Sequence, residues 1–328
     1  MILGNNHRLV SNAVIEVDAL TRGYGPNRGI EGVQFDVMEG EVVGFLGPNG
    51  AGKSTTMRIL AGTLRAHGGH ARICGFDVAT QAIQARRRIG YLPEHPPLDP
   101  HMGVAEYLTF AAVIRRVPKR AVDAAVTQAL DATGLVSVRE RLIGHLSKGF
   151  QQRVGIAQAL VHDPKVLILD EPTAGLDPKQ VQEVRNLIGR LAGTRTVLLS
   201  THILQEVTAT CQRVIVIDDG RVVAQDSLEG LERMVTRSEV IRLAVFEPSN
   251  ELRQRLLAIP DVEEVIDEGE GRMLIHCASG HDRRPEVAQA AVASGLLELS
   301  VAHLDLQEVF LKLLEQPGTN ETMPEIST

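Results

Sequence analysis

The chain has 328 residues, more than the roughly 100 to 200 of a single domain, and its 44% hydrophobic and 23% charged residues are those of a globular protein with material for a sizeable core. A net charge of -7 gives no basic excess to attract nucleic acid or an anionic membrane, so nucleic acid is not the expected ligand. No apolar run approaches the roughly 20 residues needed to cross a bilayer, and the opening MILGNNHRLVSN lacks a signal peptide's apolar stretch, so any membrane contact is expected to go through a partner.

From Ala13 to about Met234, short β-branched runs alternate with longer helical patterns, as in an α/β unit with a largely buried sheet. Strands are expected at Val14 to Val17, Val33 to Val37, Glu41 to Leu46, Ala71 to Cys74 and Ile89 to Leu92. Between Gly103 and Val161 there is no strand signal, and Val104 to Arg116 and Arg120 to Gly134 carry apolar residues at helical spacing. An all-helical insertion, at about residues 100–162, is the reading. Further strands follow at Val166 to Leu169, Thr196 to Leu199 and Val214 to Ile217, and the last turns at Asp219-Gly220 into Arg221 to Ala224.

After about Val235 the pattern restarts as strand (Glu239 to Phe246), helix (Asn250 to Ala258), a two-strand stretch across residues 268–271, helix (Arg284 to Ser294) and strand (Leu297 to Val301). This order predicts a small βαββαβ, ferredoxin-like α+β domain over residues 236–315. It would close with a helix at Leu306 to Glu315, before a disordered polar tail from Gln316 to Thr328. Cys74, Cys211 and Cys277, odd in number and widely spaced, fit structural thiols better than a disulfide framework, and His276, Cys277 and His281 lack a fourth ligand for a metal.

Chemistry enters at Gly47-Pro48-Asn49-Gly50-Ala51-Gly52-Lys53-Ser54-Thr55, between the apolar strand Val42 to Leu46 and the helix Ser54 to Ala61. This is the P-loop pattern in its required setting. Glycines let backbone N–H groups curl round phosphates at a helix N-terminus, Lys53 reaches the β and γ phosphates, and the Ser54 hydroxyl ligates Mg²⁺. A chance glycine-rich turn would lack that strand and helix.

The apolar strand Val166 to Leu169 ends in Asp170 and Glu171. A solvated strand end is the bland reading of such a pair. Beside a P-loop, Asp170 is expected to hold Mg²⁺ through water, with Glu171 as the general base that polarises the attacking water. Together these motifs predict binding and hydrolysis of Mg·ATP.

Leu146-Ser147-Lys148-Gly149-Phe150 precedes an apolar helix just upstream of that strand. The order of P-loop, Leu-Ser-x-Gly-x signature, acidic strand end and later Ser200-Thr201-His202 resembles the ATP-binding cassette (ABC) ATPases over about Val14 to Leu231. Lys148 and Phe150 depart from the usual Leu-Ser-Gly-Gly-Gln, and this variant is similar to the signatures of ABC-2-type exporter and gliding-motility-type cassettes. The resemblance implies a mixed-sheet core with a helical insertion, and ATP and Mg²⁺ as cofactors. It also implies dimerisation with a second copy or a paralogous cassette, and a separate integral membrane permease that would hold the protein at the inner face of the cell membrane.

Residue by residue, the resemblance implies that Ser147 and Gly149 close on ATP held by another subunit's P-loop, and that Tyr24, in a loop after the first strand, stacks on adenine. It implies that Asp177 lies on the loop crossing the dimer interface; Asp177-Pro178 is also a helix cap by its residue types. His202 would contact the γ-phosphate and orient the water. Glu94, where many cassettes carry Gln, would sense nucleotide; a carboxylate near the γ-phosphate is tolerable mainly with Mg²⁺ between them, so it is also expected to approach the metal. The loop Glu94 to Leu98 is the expected edge of the groove that docks the permease. Rival readings are a soluble cassette acting on ribosome or DNA, without the paired cassettes or long coiled coils of such relatives, and a non-catalytic regulatory cassette.

Overall fold

The computed structural model describes residues 13–25, 28–235, 238–278 and 282–302. The chain divides into two compact units, Met1–Gln225 and Asp226–Thr328.

The first unit runs β1 (Ala13–Gly25), β2 (Arg28–Met38), β3 (Val42–Leu46), α1 (Lys53–Leu60), β4 (Gly68–Ile73), β5 (Phe76–Asp77), α2 (Ala82–Arg88) and β6 (Ile89–Leu92). Three helices without an intervening strand come next: α3 (Val104–Ile114), α4 (Val122–Ala132) and α5 (Lys148–Leu160). The chain then returns through β7 (Val166–Asp170), α6 (Pro178–Leu191), β8 (Thr196–Thr201), α7 (Leu204–Thr210), β9 (Arg213–Asp218) and β10 (Arg221–Ser227).

A six-stranded sheet has the order β10-β9-β3-β8-β7-β6, with β3 parallel to both β8 and β9, and β7 parallel to both β8 and β6. Every residue of β3 and β7 is buried, which is why these strands read as continuous apolar runs rather than alternating ones. The register pairs Leu46 with Thr201, Asp170 with Ser200 and Leu92 with Leu169, so the carboxyl ends of β3, β8, β7 and β6 share one rim. Open parallel sheets bind ligands at that rim.

A second, antiparallel sheet has the order β2-β1-β4-β5. Phe35 of β2 meets Phe45 of β3 with ring centroids 5.4 Å apart, and Met57, Ile59 and Leu60 of α1 fill the core that both sheets share. The helical insertion has its own core, in which Leu108 and Ala112 of α3, Val126 and Leu130 of α4, and Val154 and Ala157 of α5 pack together. Their spacings of three and four residues set them on single helix faces.

One local reading needs correction, and one short strand was not expected. β1 does not end at Val17: it pairs with β2 as far as Gly25 opposite Arg28, so Tyr24 lies on a strand and not in a loop. Register shifts between Val17 and Leu20, with Ala19 at φ 46°, break the two-residue alternation that marks a strand in sequence. The two-residue strand β5 is too short to carry such a signal.

In the second unit α8 (Leu228–Val235) precedes β11 (Ser238–Val245), α9 (Asn250–Leu257), β12 (Val262–Gly269), β13 (Arg272–Ala278), α10 (Arg284–Ala291) and β14 (Leu296–Ala302). Its sheet has the order β12-β13-β11-β14 with every neighbouring pair antiparallel. Leu252 and Leu256 of α9, with Val287 and Ala291 of α10, pack among Ile241, Leu243, Met273 and Ile275. His276 and Cys277 are successive on β13 and therefore face opposite ways, and Cys277 belongs to the core. Among the described residues no group of three His, Cys, Asp or Glu side chains is placed to hold a metal. His281, the expected helix Leu306 to Glu315 and the tail from Gln316 lie outside the described residues.

Candidate functional site

At the rim of the six-stranded sheet the buried strand β3 ends at Leu46, and the chain turns through residues 47–52 before α1 begins at Lys53. A Cβ on Gly47 would stand 2.2 Å from the Ile217 carbonyl oxygen, so the loop can pass this close to β9 only where a side chain is missing. Gly52 caps α1 in left-handed backbone, φ 103°, with no side-chain cap. The first amides of α1 at Lys53, Ser54 and Thr55 are thus offered to an anion together with the exposed turn at Asn49 and Gly50, while Ala51 is buried beneath them.

Lys53 is only 5% exposed. Its ammonium donates to the carbonyl oxygens of Gly47 at 2.8 Å and Pro48 at 3.1 Å, and stands 3.4 Å from Oε1 of Glu171. One cation therefore bridges the turn of residues 47–52 and the end of β7.

At that end, Asp170 Oδ1 accepts from Ser54 Oγ at 3.1 Å and from Ser200 Oγ at 2.6 Å. Burial raises the Asp170 carboxyl above its usual range against the pull of these two hydroxyls, and the charges of Glu171 and Glu94 add to the rise. Burial also raises the Tyr91 phenol, with the Asp170 charge contributing. A buried acid flanked by hydroxyls and further carboxylates suits a hard divalent cation with oxygen ligands, because a positive charge there offsets the cost of ionising Asp170.

Glu171 leaves the strand in left-handed backbone, φ 47°. Its amide donates to the Ser200 carbonyl oxygen at 3.1 Å and to Ser200 Oγ at 3.0 Å. The turn separates the two acids, sending Asp170 to Ser54 and Glu171 to Lys53 and His202, whose Nδ1 lies 3.0 Å from Glu171 Oε2. Since the carboxylate can only accept, Nδ1 carries the proton of that bond.

Sequence reasoning missed two supports. Ser200 bonds both acids, and its signal was a hydroxyl at a buried strand end beside the expected histidine. Glu206, on the first turn of α7, is 3% exposed and accepts from Thr173 Oγ1 and, at 2.8 Å, from Thr201 Oγ1. Thr201 Oγ1 in turn accepts from the Ile203 amide at 3.0 Å. Glu206 thereby ties the loop after Glu171 to the loop carrying His202. Nothing local in the sequence distinguishes it from a solvated helix glutamate.

The structure brings together Lys53, Ser54, Asp170, Glu171 and His202. Tyr24 is 51% exposed with the Arg22 guanidinium 5.1 Å over its ring. Glu94 is exposed beyond β6 and reaches Asp170 through its charge. Ser147 caps α5 by accepting from the Phe150 amide at 3.5 Å, and Asp177 caps α6 by accepting from the Gln180 amide at 2.9 Å. Among the described residues no hydrogen bond or ion pair joins Tyr24, Glu94, Ser147, Gly149 or Asp177 to residues 47–55.

Residues 30–174 match the family described as "ABC transporter". The chain is 34% identical over 304 residues to Nod factor export ATP-binding protein I of Paraburkholderia xenovorans (strain LB400), covering 92% of this chain and 97% of that protein. It is 33% identical over 316 residues to the daunorubicin/doxorubicin resistance ATP-binding protein DrrA of Streptomyces peucetius, covering 95% of each. Among solved structures, cbiO1 from Clostridium perfringens, described as part of the ABC transporter complex cbiONQ, aligns with a TM-score of 0.60 at 30% identity over 69% of this chain and 95% of that one.

Proposed function

Because this chain belongs to the ATP-binding proteins of ABC transporters, which hydrolyse ATP to energise a membrane permease, we propose that it works as a dimer closed around two Mg·ATP and drives a separately encoded ABC-2-type exporter. The observation that carries this reading is the convergence of Lys53 and His202 on one buried carboxylate, Glu171, beside the Ser54–Asp170 pair.

The backbone of residues 49–55 and the Lys53 ammonium bind the β and γ phosphates. Ser54 and Asp170 would hold Mg²⁺, and Glu94, whose charge reaches Asp170, would add to its binding. When bound, the ion draws charge from the transferred phosphoryl group. Glu171 takes the proton of the attacking water, and His202, donating from Nδ1, fixes the carboxylate in place for that transfer. Tyr24 stacks on adenine with the ring face that Arg22 leaves free.

Among the described residues no hydrogen bond or ion pair joins Ser147 or Gly149 to the phosphate loop of their own chain, which supports their closing on the nucleotide of a second copy, with Asp177 at the interface. Phe110, Val113 and Ile114 expose one apolar face of α3, a surface suited to the permease beside the loop Glu94 to Leu98. No helix among the described residues is long and apolar enough to cross a membrane, so the permease would hold the protein at the inner face. The two relatives named for Nod factor export and for drug resistance support export as the direction.

The strand order of the second unit supports a ferredoxin-like reading, and the division of the chain into two compact units supports its being separable. A chain ending near Thr236 should stay soluble and active.

Phosphate release from Mg·ATP by the purified protein, abolished in Lys53→Ala, tests the reading. A protein that binds ATP with no turnover would overturn it.

A further inference from the structure

Lys148 stands third in the segment Leu146 to Phe150, where the usual pattern has glycine. Its Nζ lies 2.1 Å, and its Cε 3.3 Å, from the place a Cβ would take on Gly175. The ammonium fills the space that a side chain on Gly175 would take, at a residue held at φ 67°, a backbone that favours glycine. Gly175 belongs to the loop Ala174 to Asp177, which is anchored to the catalytic carboxylate's own residue: the Ala174 amide donates to the Glu171 carbonyl oxygen at 3.1 Å.

The contact is the first of a series down α5. A Cβ on Gly149 would meet Gln180 Cδ of α6 at 2.7 Å, and Arg153 pairs with Glu183 of α6 at 2.9 Å while its guanidinium covers Phe150 at 4.3 Å. Gly149 and Arg153 join helix to helix; Lys148 alone in this series reaches the loop. A glycine at position 148 would reach nothing.

We propose that Lys148 is a positioning residue that ties the Ser147 to Gly149 segment to the loop Ala174 to Asp177, so that closure of this segment on a second copy's nucleotide is transmitted to Glu171 of its own site. The proposal rests on the dimer reading above. It makes the departure from glycine a linkage between two sites and not a degenerate signature. Because Lys148 acts on the loop and not on nucleotide, its removal should lower turnover without loosening ATP.

The test is steady-state hydrolysis by the full chain, with dimer formation read by gel filtration in the Glu171→Gln background. Lys148→Gly and Lys148→Met should lower kcat by about 2- to 30-fold, the usual range for residues that carry coupling, with half-saturating ATP unchanged. Lys148→Arg should restore most of the rate. Gly175→Ala should slow turnover similarly, and Lys148→Gly with Gly175→Ala should be no slower than the slower single variant, because both break one contact. Glu171→Gln combined with Lys148→Gly should still dimerise with Mg·ATP. Unchanged kcat in both lysine variants, or additive losses in the double variant, would overturn the linkage. A raised half-saturation or a lost dimer on removing Lys148 would show that it touches phosphate instead, and also overturns it. A Glu171→Gln parent that stays monomeric strikes the dimer itself, and the proposal with it.

Discussion

His202 holds Glu171: Nδ1 of the imidazole lies 3.0 Å from Oε2 of a carboxylate whose other oxygen faces Lys53 Nζ at 3.4 Å. With the side chain 9% exposed, Glu171 is fixed at both ends before any water is activated. As the proposed base, Glu171 would then contribute to catalysis through its position as well as its basicity.

Replacing Glu171 with Gln keeps the shape and removes the base. Hydrolysis should slow by roughly 10² to 10⁴, the range of a general base, while ATP binding persists and Mg·ATP traps a dimer. Gel filtration with saturating Mg·ATP reads the outcome, and a monomer that binds nucleotide normally would count against the composite site. His202→Ala leaves the base and loses its orientation. Its kcat should fall by as much as about 10²-fold, with little change in half-saturation.

Tyr24 offers one ring face, since Arg22 covers the other. Tyr24→Ala should weaken ATP and GTP alike by about 1 kcal/mol, roughly fivefold in half-saturation, with the saturated rate unchanged, because stacking reads the base loosely. Unaltered half-saturation for ATP would leave Tyr24 as surface.

Glu94 adds negative charge near Asp170. A carboxylate 4 Å from the γ-phosphate would repel it by about 1 to 4 kcal/mol for effective dielectrics between 80 and 20, which is tolerable where Mg²⁺ stands between them. Glu94→Gln should stay active and need more Mg²⁺ for half-maximal hydrolysis. Superimposable rates against free Mg²⁺ at fixed ATP would exclude metal contact.

His162, in the turn just past α5, reports on stability. Burial, aided by the charge of Arg115, pushes its imidazole down from 6.5 to about 4; Arg195 lowers it further, while Asp163 and the bond to the Ile89 carbonyl oxygen act the other way. Nε2 donates to Ile89 O at 2.9 Å, and the buried Nδ1 has no partner among the described residues to accept a second proton's bond. The unfolded chain therefore binds the proton near pH 6.5 and the folded one only near pH 4. Stability from this group is present above 6.5 and is lost as pH falls toward 4, by at most about 3 kcal/mol. Urea midpoints measured from pH 7 to 4 should fall less steeply in His162→Gln than in the unaltered protein. Parallel curves would show that His162 is not the group responsible.

The phosphate loop, the acid pair and the helical insertion were legible because each is local. Glycines at fixed offsets, an apolar run ending in Asp170-Glu171, and apolar residues three and four apart all declare themselves within a few positions. The succession of strands and helices in the second unit was legible from the same periodicity, but the order of its strands in the sheet was not. What sequence could not supply was convergence. Ser200 reaches Asp170 across 30 positions, and Glu206 holds Thr173 across 33, because parallel register sets the ends of β7 and β8 side by side. Lys148 reaching Gly175 depends in the same way on how α5 lies against the loop before α6. β1 shows the converse: its bulges erase the alternation that would have announced it, and only its hydrogen-bonded neighbour β2 carries the strand on to Tyr24. Residue type and spacing determined which groups this chain can bring to chemistry; packing of buried strands decided which of them meet.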